Sequence, residues 1–369
     1  MRHTLPIIPN HIDKNALPLA LERAASAIAR LDQALIGHPL RPAVLYRARL
    51  DAIRRQAASD GHTIEPWHLA ALLEGVRFRM DPELSLAERG EIFAAAHHAF
   101  AMYRWLVAPD VKQQAEIQRA VTLINATVKK STPLLGVAHA AHDWLAQGGR
   151  RAPLRAAMVQ HWTGTRLLHV QLPLTGPKAL MGEFLFDPPH WIPRLLQALA
   201  WEAEAWLALL HELERAWCGA RTAVAGRRRN SRAAAAIDCL AAAPLLSAAR
   251  LAHQLDMAPS NALVLLQDFQ EKGLVVEVSH RSKRRLFGLS GMDAMHDHVA
   301  PPRRPIPGRG RGRPRLEESV SSTSEESAFP QETRPPRTEL PSFCFDYSEL
   351  DAAMAETDRI LRKARSVLK

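Results

Sequence analysis

The segment Arg309 to Leu316, RGRGRPRL, alternates arginine with glycine and carries no acid. A guanidinium stays charged at any physiological pH and presents a rigid fork of donors, which suits phosphate and base-edge acceptors. Gly310 and Gly312 have no side chains, so the backbone there can press against the floor of a narrow groove. Arg309, Arg311 and Arg313 can then extend along it, where A-tract DNA has enhanced negative potential. Pro314 limits the conformations lost on binding. The core Arg311-Gly312-Arg313-Pro314 resembles an AT-hook, and the wider PPRRPIPGRGRGRPRL has six arginines. The competing reading is a solvated Arg/Gly linker.

A second constellation precedes it. Ser231 to Ser290 has the order of signals of a winged helix-turn-helix. Ser231 suits the cap of a first helix running through Leu240, and Ser247 the cap of a second. Pro259 fits the first position of a third helix, and Gly273 ends it as a left-handed residue. Ala252, Leu255, Met257, Ala262, Leu266 and Phe269 supply apolar contacts around the turn. LVVEVSH and RRLFGLS read as two short strands with RSK at the hairpin tip. The third helix would enter the major groove with Ser260, Asn261, Val264 and Gln267 exposed, and Asn and Gln can pair bidentately with adenine. Arg281, Lys283, Arg284 and Arg285 on the wing would neutralise phosphates. Two features depart from the usual pattern: Asp256 stands at the turn where glycine is common, and Ala258 is a poor cap. Basic residues are also missing from the third helix before Lys272, so base readout looks thin.

The net charge of +10 is segregated. Residues 221–315 hold 17 Lys and Arg against 7 Asp and Glu, while residues 1–220 hold 24 against 20 and residues 316–369 hold 7 against 11. A continuous basic segment points to a polyanion. The basic residues are not interleaved with Trp, Phe and Leu as an interfacial helix requires, so duplex DNA is expected rather than a membrane. No apolar run reaches about 18 residues, and MRHTLPIIPNHIDKN lacks the apolar core and cleavage site of a signal peptide. Cys218, Cys239 and Cys344 are scattered, without a CxxC pair, and read as reduced thiols of a cytoplasmic protein.

Catalytic and metal signals are weak. His97-His98, His139 with His142-Asp143, and His296 with His298 lack a third ligand at recognised spacing, and HELE at His211 to Glu214 lacks the second His of a zinc-peptidase helix. No GxSxG, Walker A or strand-linked GxGxxG occurs. The expectation is a protein that is not an enzyme and needs no cofactor or metal. Trp191, Trp201, Trp206 and Trp217 share an amphipathic stretch and read as core.

The elements that would carry these residues form a mainly α chain. Residues 1–220 read as a multi-helix domain. Its helices lie over LPLALERAASAIARLDQAL, through Leu45 and Ile53 after a break at His38 to Pro42, from Pro66, over LAERGEIFAAAHHAFAMYRWL, over VKQQAEIQRAVTLINATVKK, and over WIPRLLQALAWEAEAWLALLHELERAW. TGTRLLHVQLPLTGPKAL reads as a loop or short-strand insertion. Residues 221–299 form the winged unit. Residues 300–342 are too poor in apolar side chains to offset ordering entropy and are expected to be disordered. Residues 343–369 suit a final amphipathic helix.

WHLAALLEGVRFRMD, ERGEIFAAAHHAF, RTAVAGRRRNSRAAAAIDCLAAAPL, HRSKRRLFGL and PPRRPIPGRGRGRPRL resemble a bacterial family with an N-terminal domain of unknown function and a C-terminal helix-turn-helix domain assigned as DNA-binding. The resemblance spans nearly the whole chain. It implies a cytosolic DNA-binding protein, without a known reaction, ligand or operator. A fainter likeness links the N-terminal helices to the leading region of Fic-type proteins, but the HPFxxGNGR loop is missing, so nucleotidyl transfer is not implied.

Together these readings predict a transcriptional regulator that binds double-stranded DNA, and a homodimer is possible. The alternative is an assembly module whose winged helix and final helix mediate self-association.

Overall fold

The computed structural model describes residues 16–76, 85–164, 168–180, 187–225, 231–279 and 284–292. The N-terminal part is helical: α1 (Ala16–Leu35), α2 (Arg41–Ser59), α3 (Pro66–Leu73), α4 (Leu86–Val107), α5 (Val111–Val128), α6 (Pro133–Ala146), α7 (Arg151–Gly164) and α8 (Pro188–Val224). After it come α9 (Ala233–Ala242), β1 (Leu246–Ser247), α10 (Ala248–Gln254), α11 (Pro259–Glu271), β2 (Val275–Glu277) and β3 (Leu286–Leu289). The expected mainly α class with a C-terminal helix-turn-helix is what the structure contains.

Local chemistry sets the helix starts. Ser85 accepts from the backbone of Glu88 while the Glu88 carboxylate accepts from the Ser85 amide, and Asp110 and Gln113 do the same for α5. These reciprocal capping boxes satisfy donors that a helix start leaves orphaned. Proline occupies the first turn of α2, α3, α6, α8 and α11, where its missing N–H costs nothing. Pro42 therefore belongs inside α2, not to the break before it.

The 37-residue α8 is the spine. It packs along α1, clamped outside by Arg23 on Glu204. Trp191, Trp206 and Trp217 of α8 are buried. Trp201 corrects the expectation of four core tryptophans: it is half-buried, with Lys178 at 3.3 Å and Arg55 at 4.2 Å from its ring centre. α5 packs on α6 and α7. Gly136 permits the α5–α6 approach, because a Cβ there would meet Val128 Cα at 2.6 Å. α6 and α7 went unread in the sequence. Between α7 and α8, the described residues 168–176 form no regular element and Pro177–Leu180 a short 3-10 turn, with no strand among them.

The C-terminal unit shares one apolar core with the bundle. Arg47 of α2 is buried among the carbonyls that end α9: Nε donates to Ala241 O at 2.9 Å and Nη2 to Leu240 O and Ala243 O at 3.1 and 3.0 Å. Nη1 reaches Met292 O at 3.4 Å. A cation at a helix C-terminus also meets the negative end of its dipole. Burial lowers the Arg47 pKa to about 9. Asp238 of α9 accepts from Trp217 Nε1 at 2.7 Å and pairs with Arg221 at 3.0 Å. A second apolar cluster joins Ala70, Ala71 and Trp67 of α3 to Leu245, Val278 and Leu286 at the base of the sheet.

Candidate nucleic-acid interface

The sheet that supports the hairpin has strand order β1-β3-β2, all antiparallel. Val275, Val276 and Glu277 face Leu289, Gly288 and Phe287, and Leu246 and Ser247 face Phe287 and Leu286. Two bonds extend the pairing beyond the strands: Val278 N to Leu286 O and Ser290 N to Leu274 O, both 3.0 Å. The central strand, LFGL, is buried throughout. This short sheet therefore fixes where the loop beyond Ser279 leaves the body.

The tight turn between α10 and α11 forms as its residues require. Ser247 caps α10, its oxygen accepting from Arg250 N at 3.3 Å. Asp256 adopts φ 48°, the left-handed conformation that its short polar side chain tolerates. Met257 N then bonds back to Ala252 O at 3.0 Å. Ala258 starts α11 without a side-chain cap, and Gly273 leaves it at φ 68°. Ser231 sits one residue further out than expected: Arg232 is the N-cap of α9, while Ser231 Oγ accepts from Ala233 N at 3.3 Å.

α11 packs chiefly on α10 and β2, through buried Ala262, Leu266 and Phe269. Ser260, Asn261 and Val264 are exposed, and Val264 retains 64% of its surface. Gln267 is only half-exposed. Arg284 is exposed at φ 54°, and Arg285 beside it is half-buried with an interaction of its own. Arg281 and Lys283 lie outside the described residues, as do Arg309, Arg311 and Arg313, His296 and His298, Cys344 and the segment 343–369.

Two of the other histidine candidates have separate carboxylate partners. His98 Nε2 lies 3.1 Å from Asp60, and His142 Nδ1 lies 3.7 Å from Asp143. Burial opposes the charge on Asp60, but Arg155, His98 and Arg151 outweigh it and hold the carboxyl at about 2. Among the described residues, no three His, Cys, Asp or Glu side chains converge as metal ligands. Cys218 and Cys239 are free thiols, and burial pushes Cys239 up to about 12. No described helix is long and apolar enough to cross a membrane.

Sequence reasoning missed Arg47, Glu74 and Glu202. Glu202 is fully buried; one oxygen accepts from Thr175 N and Gly176 N at 2.9 and 2.7 Å, while the other has no hydrogen-bond partner. Burial lifts it to about 7 against those bonds and Arg55. The available signal was charge on the inner face of a helix: Arg47 follows Val44 by three positions and precedes Asp51 by four.

Residues 231–279 match the family model of the IclR helix-turn-helix domain. The match covers α9 through β2 and ends before β3. No curated protein matches the chain. The C-terminal part is thus a helix-turn-helix DNA-binding domain, the kind through which transcriptional regulators reach duplex DNA, and the helical part before it has no matching family.

Proposed function

We propose that this protein is a transcriptional regulator acting in the cytoplasm, without catalysis, through a winged helix seated on double-stranded DNA. The observation that carries the reading is the two-sided character of α11: Ala262, Leu266 and Phe269 are buried, while Ser260, Asn261 and Val264 face outward. A helix held this way presents a small polar and apolar surface to a groove. Asn261 and Gln267 can each offer an amide to adenine, Ser260 a hydroxyl, and Val264 a methyl surface to thymine.

Affinity comes from the wing. Arg284, Arg285, Arg281 and Lys283 neutralise phosphates beside the groove and release counterions. Arg309, Arg311 and Arg313 extend the contact into an adjacent minor groove. A hook tethered to a seated domain acts at raised effective concentration, so it adds affinity with little added sequence information. Residues 221–299 are the DNA-facing unit, residues 1–220 the platform behind it, and the hook belongs to the connecting segment 300–342. A second copy would read a second half-site about one helical turn away.

Fluorescence-anisotropy titration of duplex DNA at several salt concentrations tests the reading. Binding that weakens steeply with salt supports it, and salt-independent or absent binding removes it. For the hook, a minor-groove ligand on A-tract DNA should compete with the protein, and an Arg311→Ala, Arg313→Ala variant should not feel that competition. Indifference of the unaltered protein to the ligand would return this segment to a linker.

A further inference from the structure

α10 begins differently from the two capped helices of the bundle. α4 and α5 each carry the acceptor at the third helical position that bonds back to the N-cap amide: Glu88 for Ser85 and Gln113 for Asp110. α10 has the N-cap serine, Ser247, but its third position is Arg250, a donor without acceptor capacity. An acceptor for the N-cap side chain stands instead at the end of another helix. Glu74, directly after α3, accepts from Ser247 Oγ at 3.4 Å, which leaves the serine oxygen's lone pairs to the Arg250 amide, while its other oxygen pairs with Arg250 Nη1 at 2.8 Å. Its side chain retains only 3% of its surface and that of Arg250 22%. Tyr46 of α2, partly buried, packs against the shared apolar core.

We propose that Glu74 completes the cap of α10 in trans and is a positioning residue for the DNA-binding domain, so that the N-terminal bundle sets the first helix of the helix-turn-helix. The placement of Glu74 is itself fixed. α3 is bound by Ala70, Ala71 and Trp67 to Leu245, Val278 and Leu286, so the carboxylate and the sheet base move as one body. Ser247 is also the last residue of β1, paired with Leu286 of β3. One carboxylate therefore joins α3, β1 and the start of α10. Loss of the Glu74 contacts would strip the cap from α10 and free α10 and α11 to turn relative to the hairpin. The effect on DNA rests on the proposed regulator function, whereas the cap itself does not.

The experiment is hydrogen exchange at the Ser247 and Arg250 amides of the full-length protein without DNA, followed by anisotropy titration of the same samples with duplex. Glu74→Ala should raise exchange at both amides about tenfold, the loss expected for a cap assisted by a charged hydrogen bond. Adding Arg250→Glu places an acceptor at the third position of α10 itself, and should return exchange at Ser247 to within about twofold of the unaltered protein. Arg250→Ala added to Glu74→Ala removes the stranded cation without supplying an acceptor, and should leave exchange at Ser247 raised. Glu74→Gln keeps the size and one carbonyl acceptor and should show a smaller loss, which preserves the test should the alanine variant fold poorly. Unchanged exchange in Glu74→Ala, or a loss that Arg250→Glu does not repair or that Arg250→Ala repairs equally, overturns the proposal. On DNA, Glu74→Ala should weaken binding several-fold. If the unaltered protein binds no duplex at any salt, the regulator reading falls while exchange still decides the cap.

Discussion

Arg284 occupies the left-handed region at φ 54°, where a side chain costs about 1 kcal/mol that glycine does not. An arginine kept at such a position sits where its charge can be used and not where its backbone is best suited. Arg284→Gly should therefore leave stability unchanged or raise it by up to ~1 kcal/mol in urea unfolding, while duplex binding weakens and the salt slope flattens by about one unit. Loss of stability without loss of affinity would place Arg284 in the fold and not on DNA. On α11, Asn261→Ala should cost ~1–3 kcal/mol against the preferred site and little against unrelated duplex, measured by competition titration. Glu202 gives a pH dependence. Its folded value of about 7 lies above the ordinary 4.5, so the folded chain binds the proton more tightly than the unfolded chain. The stability it contributes is complete below about pH 4.5 and is lost as pH rises through 7. Measured by urea unfolding at successive pH values, Glu202→Gln should gain on the unaltered protein across that window by about 3 kcal/mol.

At the scale of elements, what the sequence revealed depended on burial. α11 was legible because one face is buried and the other exposed, and because Pro259 and Gly273 mark its ends. The turn was legible despite Asp256, since aspartate can take the left-handed conformation there. α6 and α7 were not legible. In α7, nine of fourteen residues are buried, including Arg155 and His161, so no stripe separates an inner from an outer face. α6 buries Leu134, Val137, Ala138, Ala141 and Leu145 at helical spacing, but Leu135, Gly136 and Ala140 fill the gaps, so its sequence shows a nearly unbroken apolar run instead of a stripe. Trp201 was misread for the converse reason: it shares a helix with three buried tryptophans, but its ring turns toward Arg55 and Lys178. Arg47 joins α2 to α9. Arg47→Met would leave four carbonyls without their donor, and should lower stability by about 3 kcal/mol or more. Arg47→Lys should recover only part of that, because one ammonium cannot span the fork.

For the whole molecule, the consequential feature is the continuous core between the bundle and the helix-turn-helix. The sequence divides at residue 220 by composition and charge, yet the apolar interior, the contacts of Arg47 and Glu74, and the bond from Trp217 to Asp238 cross that division. Such contacts between residues distant in the chain leave no local mark in its pattern. The full chain should therefore unfold in one transition that includes the DNA-binding unit. A fragment of residues 231–292 would expose Leu245, Val278 and Leu286, the partners of α3, and should unfold at a lower urea concentration. The same coupling gives a regulator its route from platform to DNA. The direct test of the central claim is the slope of log affinity against log salt for a duplex, compared between the full-length protein and its Arg284→Ala, Arg285→Ala variant. A steep slope that becomes shallower in the variant, with weaker binding to every duplex, is the result expected of a phosphate-gripping wing. Equal slopes for the two proteins would contradict it.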